Sequence, residues 1–189
     1  MNSPIYITFI GSITKKTVNS FIVTCNNAIK EFKSQELHLY LDSGGGAIGQ
    51  AFSLCNYIKA LPLETHVYAG NSVDSCAINV MLASSKRYST GNSTFFFHHV
   101  VTSFDPEKRF SVGELKIEIS KLQNDQDKIV EHISESTNTS VELIKSYINI
   151  GKIIGTKSAL EINLIHEVKQ YIIPTIAHVY HISEIENNI

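Results

Sequence analysis

The chain has 189 residues, 43% of them hydrophobic, with 16 Lys and Arg against 18 Asp and Glu. A chain this long favours one domain and buries about two-thirds of its unfolded surface in a single core. The formal net charge of −2, with the charges scattered, excludes the basic footprint of a nucleic-acid binder and a polybasic membrane patch. Pro4–Gly11 alternates around Ile and Phe and predicts a strand. Thr14 is placed to cap a helix whose apolar positions are Val18, Phe21, Ile22, Cys25, Ile29 and Phe32. Leu37–Leu41 alternates strictly and predicts a second strand, followed by Asp42-Ser43-Gly44-Gly45-Gly46. A second helix puts Ala51, Leu54, Cys55, Ile58 and Leu61 on one face, and Pro62 stops it. Thr65–Gly70 predicts a third strand.

A polar turn leads to Ser75, after which Cys76–Ala83 is apolar nearly all round and predicts a buried helix. Lys86–Tyr88 and Thr94–His98 predict short strands, and Val100–Arg109 a polar loop. Ser111-x-x-Glu114 is a capping box that opens a long helix with Leu115, Ile119, Leu122, Ile129 and Ile133 expected inward. Thr139-x-x-Glu142 is expected to cap a helix ending near Ile150. A helix over Thr156–Ile162 and a strand over Ile165–Ile173 are expected to close the fold. Alternating strands and helices imply an α/β fold with right-handed crossovers and a mainly parallel sheet.

Cys25, Cys55 and Cys76 are odd in number, lack CxxC spacing and sit in apolar stretches. They predict buried free thiols in a reducing compartment. The first residues lack the basic-then-apolar layout of a signal peptide, and no apolar run approaches the ~20 residues of a membrane span. A soluble, cytoplasmic protein is expected, with no membrane or nucleic-acid partner, no cofactor and no metal.

Three features that each follow a predicted strand carry chemistry. Gly44-Gly45-Gly46 allows backbone N–H groups to face an anion because no Cβ blocks the approach. It suits an oxyanion hole, a phosphate cradle without GxGxxG or GK[ST], or a plain tight turn. Ser75, between a strand and a buried helix, suits a nucleophile beside the Cys76 N–H, or simply a helix N-cap. Ser72 lies in the turn before it and is not placed for the part. His98 and His99 end an apolar strand, so alternation sends only one of them towards Ser75. Acyl transfer needs this combination of a hydroxyl, an imidazole and paired N–H donors. All three features lie at strand carboxyl ends, where open parallel sheets bind ligands.

The order of these residues resembles the proteolytic subunit of the Clp protease, the ClpP family of the ClpP/crotonase superfold. LYLDSGGGAIGQAF resembles that family's glycine-pair stretch. VDSCAINVMLASSKRYSTGNSTFFFHH resembles its nucleophile-to-histidine stretch, and TNTSVELIKSYINIGKIIGTKSALEINLIHEV its last helices and strand. The resemblance runs from about Ile5 to Val168 and implies a ββα superhelix with a protruding handle helix. One domain over 1–189 is implied, with a head of 1–98 and 138–189 and a handle of 99–137.

The resemblance further implies Ser75 as nucleophile, His98 as base, and the N–H groups of Gly46 and Cys76 as oxyanion hole. His99 falls on the glutamine after the family's histidine. The helix from Ser111 matches the handle that joins two heptameric rings. Val100–Arg109 matches the glycine-rich segment that pairs with substrate and the other ring, here longer and charged. The family's aspartate falls on Gly151, so the third role passes to Asn149 by hydrogen bond or to Asp74 by charge. The chain begins on the first strand, so the axial segment that meets an ATP-driven unfoldase is expected to be almost absent. Three functions follow: a serine endopeptidase acting on peptide or unfolded-protein substrates in a homo-oligomeric ring, a weak or inactive subunit of structural or regulatory role, or a crotonase-type acyl-CoA enzyme.

Overall fold

A computed structural model describes residues 3–184. The elements in chain order are β1 (Ile5–Ile10), α1 (Lys15–Phe32), β2 (Glu36–Ser43), α2 (Ile48–Ala60), β3 (Glu64–Val73), α3 (Cys76–Leu82) and β4 (Lys86–Ser89). There follow β5 (Thr94–Phe96), α4 (Val112–Thr137), α5 (Val141–Asn149), β6 (Ile153–Gly155), α6 (Thr156–Glu161), β7 (Glu167–Val168) and β8 (His178–Ser183). The main sheet runs β7-β4-β3-β2-β1-β8, and every pairing in it is parallel. The far end of β3 also carries β5, which pairs antiparallel with β6. The α/β class with a mostly parallel sheet is therefore as expected.

Local signals set most boundaries. Thr14 caps α1 and exchanges bonds with Thr17, a capping box with threonine at the third position. Ser111 and Glu114 do the same for α4. All seven residues of α3 are buried, as an all-round apolar helix requires. Cys25, Cys55 and Cys76 are buried free thiols. No helix among the described residues is long and apolar enough to cross a membrane.

Three expectations are corrected and one further strand is added. The cap of α5 is Ser140, whose hydroxyl accepts from the Leu143 N–H; the Thr139 hydroxyl donates instead to the Ile162 carbonyl. The closing strand is only Glu167–Val168: after a last bond from the Lys169 N–H to the Ser89 carbonyl, residues 170–177 leave the sheet edge. The edge beside β1 is taken instead by β8, paired from Ile5↔His178 to Ile10↔Ser183. On α4, Leu115 and Ile119 are exposed at 40% and 53%, and only the final part, with Ile129, Val130 and Ile133, enters the core. By the usual rise the 26-residue helix is about 39 Å long, so its first half projects as a handle beyond the head.

Candidate active site

The site is built where β3 departs from β2. Their register runs in step to Leu41↔Ala69 and resumes at Ser43↔Val73, so β3 carries extra residues in a bulge. Asp42 fills the bulge: its carboxylate accepts from the N–H groups of Asn71 and Ser72 at 3.2 and 3.3 Å. The bulge aims the end of β3, and hence Ser75, at the glycine loop. Sequence reading passed over Asp42; an acid at a strand end followed by glycines was its only signal.

Ser75 joins β3 to α3 with φ 55 and ψ −135, a conformation sparsely populated by residues other than glycine. Holding it costs about 1–3 kcal/mol, supplied by the surrounding structure. Its side chain makes no helix-capping bond, so it is not serving as an ordinary N-cap. Its N–H donates to the Phe96 carbonyl at 2.9 Å, while the Phe96 N–H donates to the Asp74 carboxylate at 2.9 Å. Asp74 also accepts from the Ser72 hydroxyl through a short bond. These bonds tie β5, and therefore the approach to His98, to the turn that holds Ser75.

The glycines pack against the serine. A Cβ on Gly45, at φ +94, would lie 2.7 Å from the Ser75 Cβ. A Cβ on Gly46 would lie 2.4 Å from the Ile13 carbonyl oxygen. Ile13 N–H donates to the Gly45 carbonyl and Ala47 N–H donates to the Ile13 carbonyl. The Gly46 N–H takes no part in this bridge, and across a trans peptide it points opposite to the Gly45 carbonyl, away from Ile13. The Cys76 N–H opens α3, where no carbonyl of the preceding turn reaches it. Burial pushes the Cys76 thiol above its ordinary pKa, and the thiol lies 3.5 Å from the Gly46 carbonyl as a weak donor.

Ser75 and His98 line one pocket, walled by Phe96, Phe97, Ile129 and Ile148. Its cavity volume is about 10 Å³, on the scale of a single water. The two side chains share this pocket without a hydrogen bond between them. His98 packs on Phe96 with ring centroids 4.9 Å apart. Its Nδ1 lies 2.7 Å from the His99 carbonyl oxygen. A carbonyl only accepts, so Nδ1 carries the proton and the lone pair of the neutral ring sits on Nε2. His99 turns the other way, with Nδ1 3.2 Å from the Gln126 amide nitrogen of α4. The two rings thus meet different partners, although β5 ends at Phe96, short of the expected Thr94–His98, and both histidines lie beyond it.

Among the described residues, neither sequence candidate for a third member is hydrogen-bonded to His98. Asp74 is committed to Phe96 and Ser72. Asn149 is exposed at the end of α5. Gly151 does lie beside the site, with φ 62 and an added Cβ 3.7 Å from the Phe96 ring.

The fold places this chain among α/β proteins with a mostly parallel sheet whose candidate site lies at the strand carboxyl ends. Comparison narrows the class. The Clp protease family model matches residues 2–171, and the chain belongs to that family. It is 21% identical over 160 residues to the ATP-dependent Clp protease proteolytic subunit 1 of Rhodopirellula baltica, covering 84% of this chain and 69% of the relative. In fold it is similar to a mutant of ClpP1 from Listeria monocytogenes, with a TM-score of 0.74, 19% identity, and coverage of 88% of this chain and 91% of that one.

Proposed function

We propose that this chain is a serine endopeptidase subunit that cuts peptide or unfolded-protein substrates inside a ring of like subunits, heptameric by family likeness. The observation that carries the reading is the backbone of Ser75. A serine held at φ 55 between a strand and a buried helix, with Gly45 against its Cβ, is costly to keep for structure alone.

In this reading the Ser75 Oγ attacks the substrate carbonyl carbon while its proton passes to His98 Nε2. The developing oxyanion accepts from the N–H groups of Gly46 and Cys76. His98 returns the proton to the leaving amine as the carbon–nitrogen bond breaks. Water then attacks the acyl ester by the same route, and Ser75 regains its proton. The His99 carbonyl fixes the tautomer of His98 but, being neutral, stabilises the imidazolium less than a carboxylate. The ATP-dependent name of the Rhodopirellula relative suggests an ATP-driven unfoldase as the partner that feeds the ring.

Gly151, in place of the family's acid, favours a second reading as a weak or inactive subunit. A serine-directed fluorophosphonate separates the two. It is expected to modify Ser75 and not Ser72, with labelling lost in Ser75→Ala at an unchanged melting temperature. Labelling that persists in Ser75→Ala overturns the assignment, and a folded oligomer that never labels favours the second reading.

A further inference from the structure

At the opposite end of the same strands, β2 begins Glu36-Leu37-His38 and β3 begins Glu64-Thr65-His66. Parallel pairing puts Glu36 beside Glu64 and His38 beside His66. Residues two apart on a strand face the same way, so all four side chains stand on one face of the sheet. The His38 Nε2 lies 3.3 Å from a Glu36 carboxylate oxygen, and the His66 Nε2 lies 3.8 Å from a Glu64 oxygen. One ligating atom each from Glu36, His38 and His66 falls within 4.8 Å of the others. Donors around a tetrahedral zinc ion, at about 2.0–2.2 Å from the metal, are about 3.4 Å from one another.

Two further observations separate this cluster from an ordinary exposed group of acids. The His66 Nε2 is buried with no hydrogen-bond partner among the described residues, and such an atom is costly to leave unsatisfied. The Nδ1 atoms are both occupied, His38 by the Tyr68 hydroxyl at 3.1 Å and His66 by the Tyr88 hydroxyl at 3.4 Å. At His66, an Nδ1–H held by the Tyr88 hydroxyl leaves the lone pair at Nε2, as in zinc-bound histidines. At His38 the Glu36 carboxylate only accepts, so Nε2 carries the proton and a metal ion would have to displace it. Burial lowers the pKa of both rings, which favours the neutral, ligating form. Two carboxylates balance a dication. Lys169, whose ammonium lies over the Tyr88 ring, opposes it.

We propose that Glu36, His38, Glu64 and His66 bind one divalent transition-metal ion, zinc by donor type, that clamps β2 to β3. The two imidazoles stack with centroids 4.6 Å apart and 9° between planes. Capture of the ion therefore turns the rings about χ2, a broad torsion in histidine, until both lone pairs converge. The site lies at the amino ends of strands whose carboxyl ends lead to Ser75, so its role is to hold the sheet.

Titration of the metal-free full chain with Co²⁺ and then Zn²⁺ tests this. The expected result is one equivalent of cobalt per chain, with the intense visible absorption of tetrahedral cobalt, bleached by zinc. The melting temperature is expected to rise by about 5–10 °C at free zinc about 100 times the dissociation constant. The double variant His38→Phe/His66→Phe keeps aromatic stacking and should lose both signals. His66→Gln is the milder variant and should lose them too if the double variant does not fold. One-equivalent tetrahedral binding that survives in either variant, a weak octahedral cobalt spectrum, or the absence of any binding overturns the proposal.

Discussion

The Nδ1–H of His98 donates to the carbonyl of its own neighbour, His99, over 2.7 Å. In a serine–histidine–aspartate site that proton goes to a carboxylate, which orients the ring and stabilises its cationic form. Losing only the carboxylate costs on the order of 10⁴ in turnover in well-studied proteases. A backbone carbonyl keeps the orienting part and gives up most of the charge. Gly151 is where a carboxylate can be restored: its backbone lies in the left-handed region at φ 62, which aspartate tolerates better than most residues, and the space beside Phe96 admits a Cβ. Gly151→Asp is expected to raise turnover of a short fluorogenic peptide by about 10- to 100-fold. Unchanged turnover in a folded variant would show that the His99 carbonyl suffices.

Asp74 is expected to act through Phe96 and not through His98. Asp74→Asn keeps an oxygen for the Phe96 N–H and should leave turnover within about threefold of the parent. Asp74→Ala strips the acceptor and should cost about 1–3 kcal/mol in urea unfolding. It should also slow fluorophosphonate labelling as β5 loosens. A severe loss of turnover in Asp74→Asn, with stability intact, would return a charge role to this residue.

Acid should weaken the fold through histidine. His132 on α4 sits 2.9 Å from the Lys59 ammonium, and burial together with that charge lowers its pKa to about 4. The unfolded chain takes up this proton near pH 6.5. The stability that the neutral ring contributes is therefore complete above about pH 6.5 and is lost as pH falls towards 4. Burial shifts His38 and His66 downward as well, so their slopes have the same sign. Urea unfolding from pH 7 to 4 should show falling stability, and His132→Gln should flatten part of that slope. An unaltered slope in His132→Gln would contradict the assignment.

The projecting half of α4 should be covered by other subunits. Val112, Leu115 and Ile119 form one apolar stripe exposed at 71%, 40% and 53%, with Ile117 exposed at 56% on the other side of the helix. Light scattering is expected to find a cyclic oligomer, and Ile119→Glu should shift it towards smaller species. A stable 21.0 kDa monomer at micromolar concentration would refute the ring.

The cap at Thr14, the capping box at Ser111, the all-apolar run after Ser75 and the alternation of β2 were legible in the sequence because each is a local signal, set by spacing along one segment. The glycine loop, Ser75 and His98 were legible as a set for the same reason, each following a strand of its own. Local patterns do not say what covers a face. The stripe through Leu115 and Ile119 has the spacing of a buried helix, yet the head ends before reaching it. Nor does a pattern say which strands pair. His178–Ser183 becomes a strand by lying along β1, and Glu36-x-His38 meets Glu64-x-His66 only because β2 and β3 pair in register. The partner of His98 Nδ1 is a main-chain carbonyl, which every residue carries and no sequence can single out. Only the tertiary structure decides such contacts, because they depend on distances between segments that the chain brings together when its core closes.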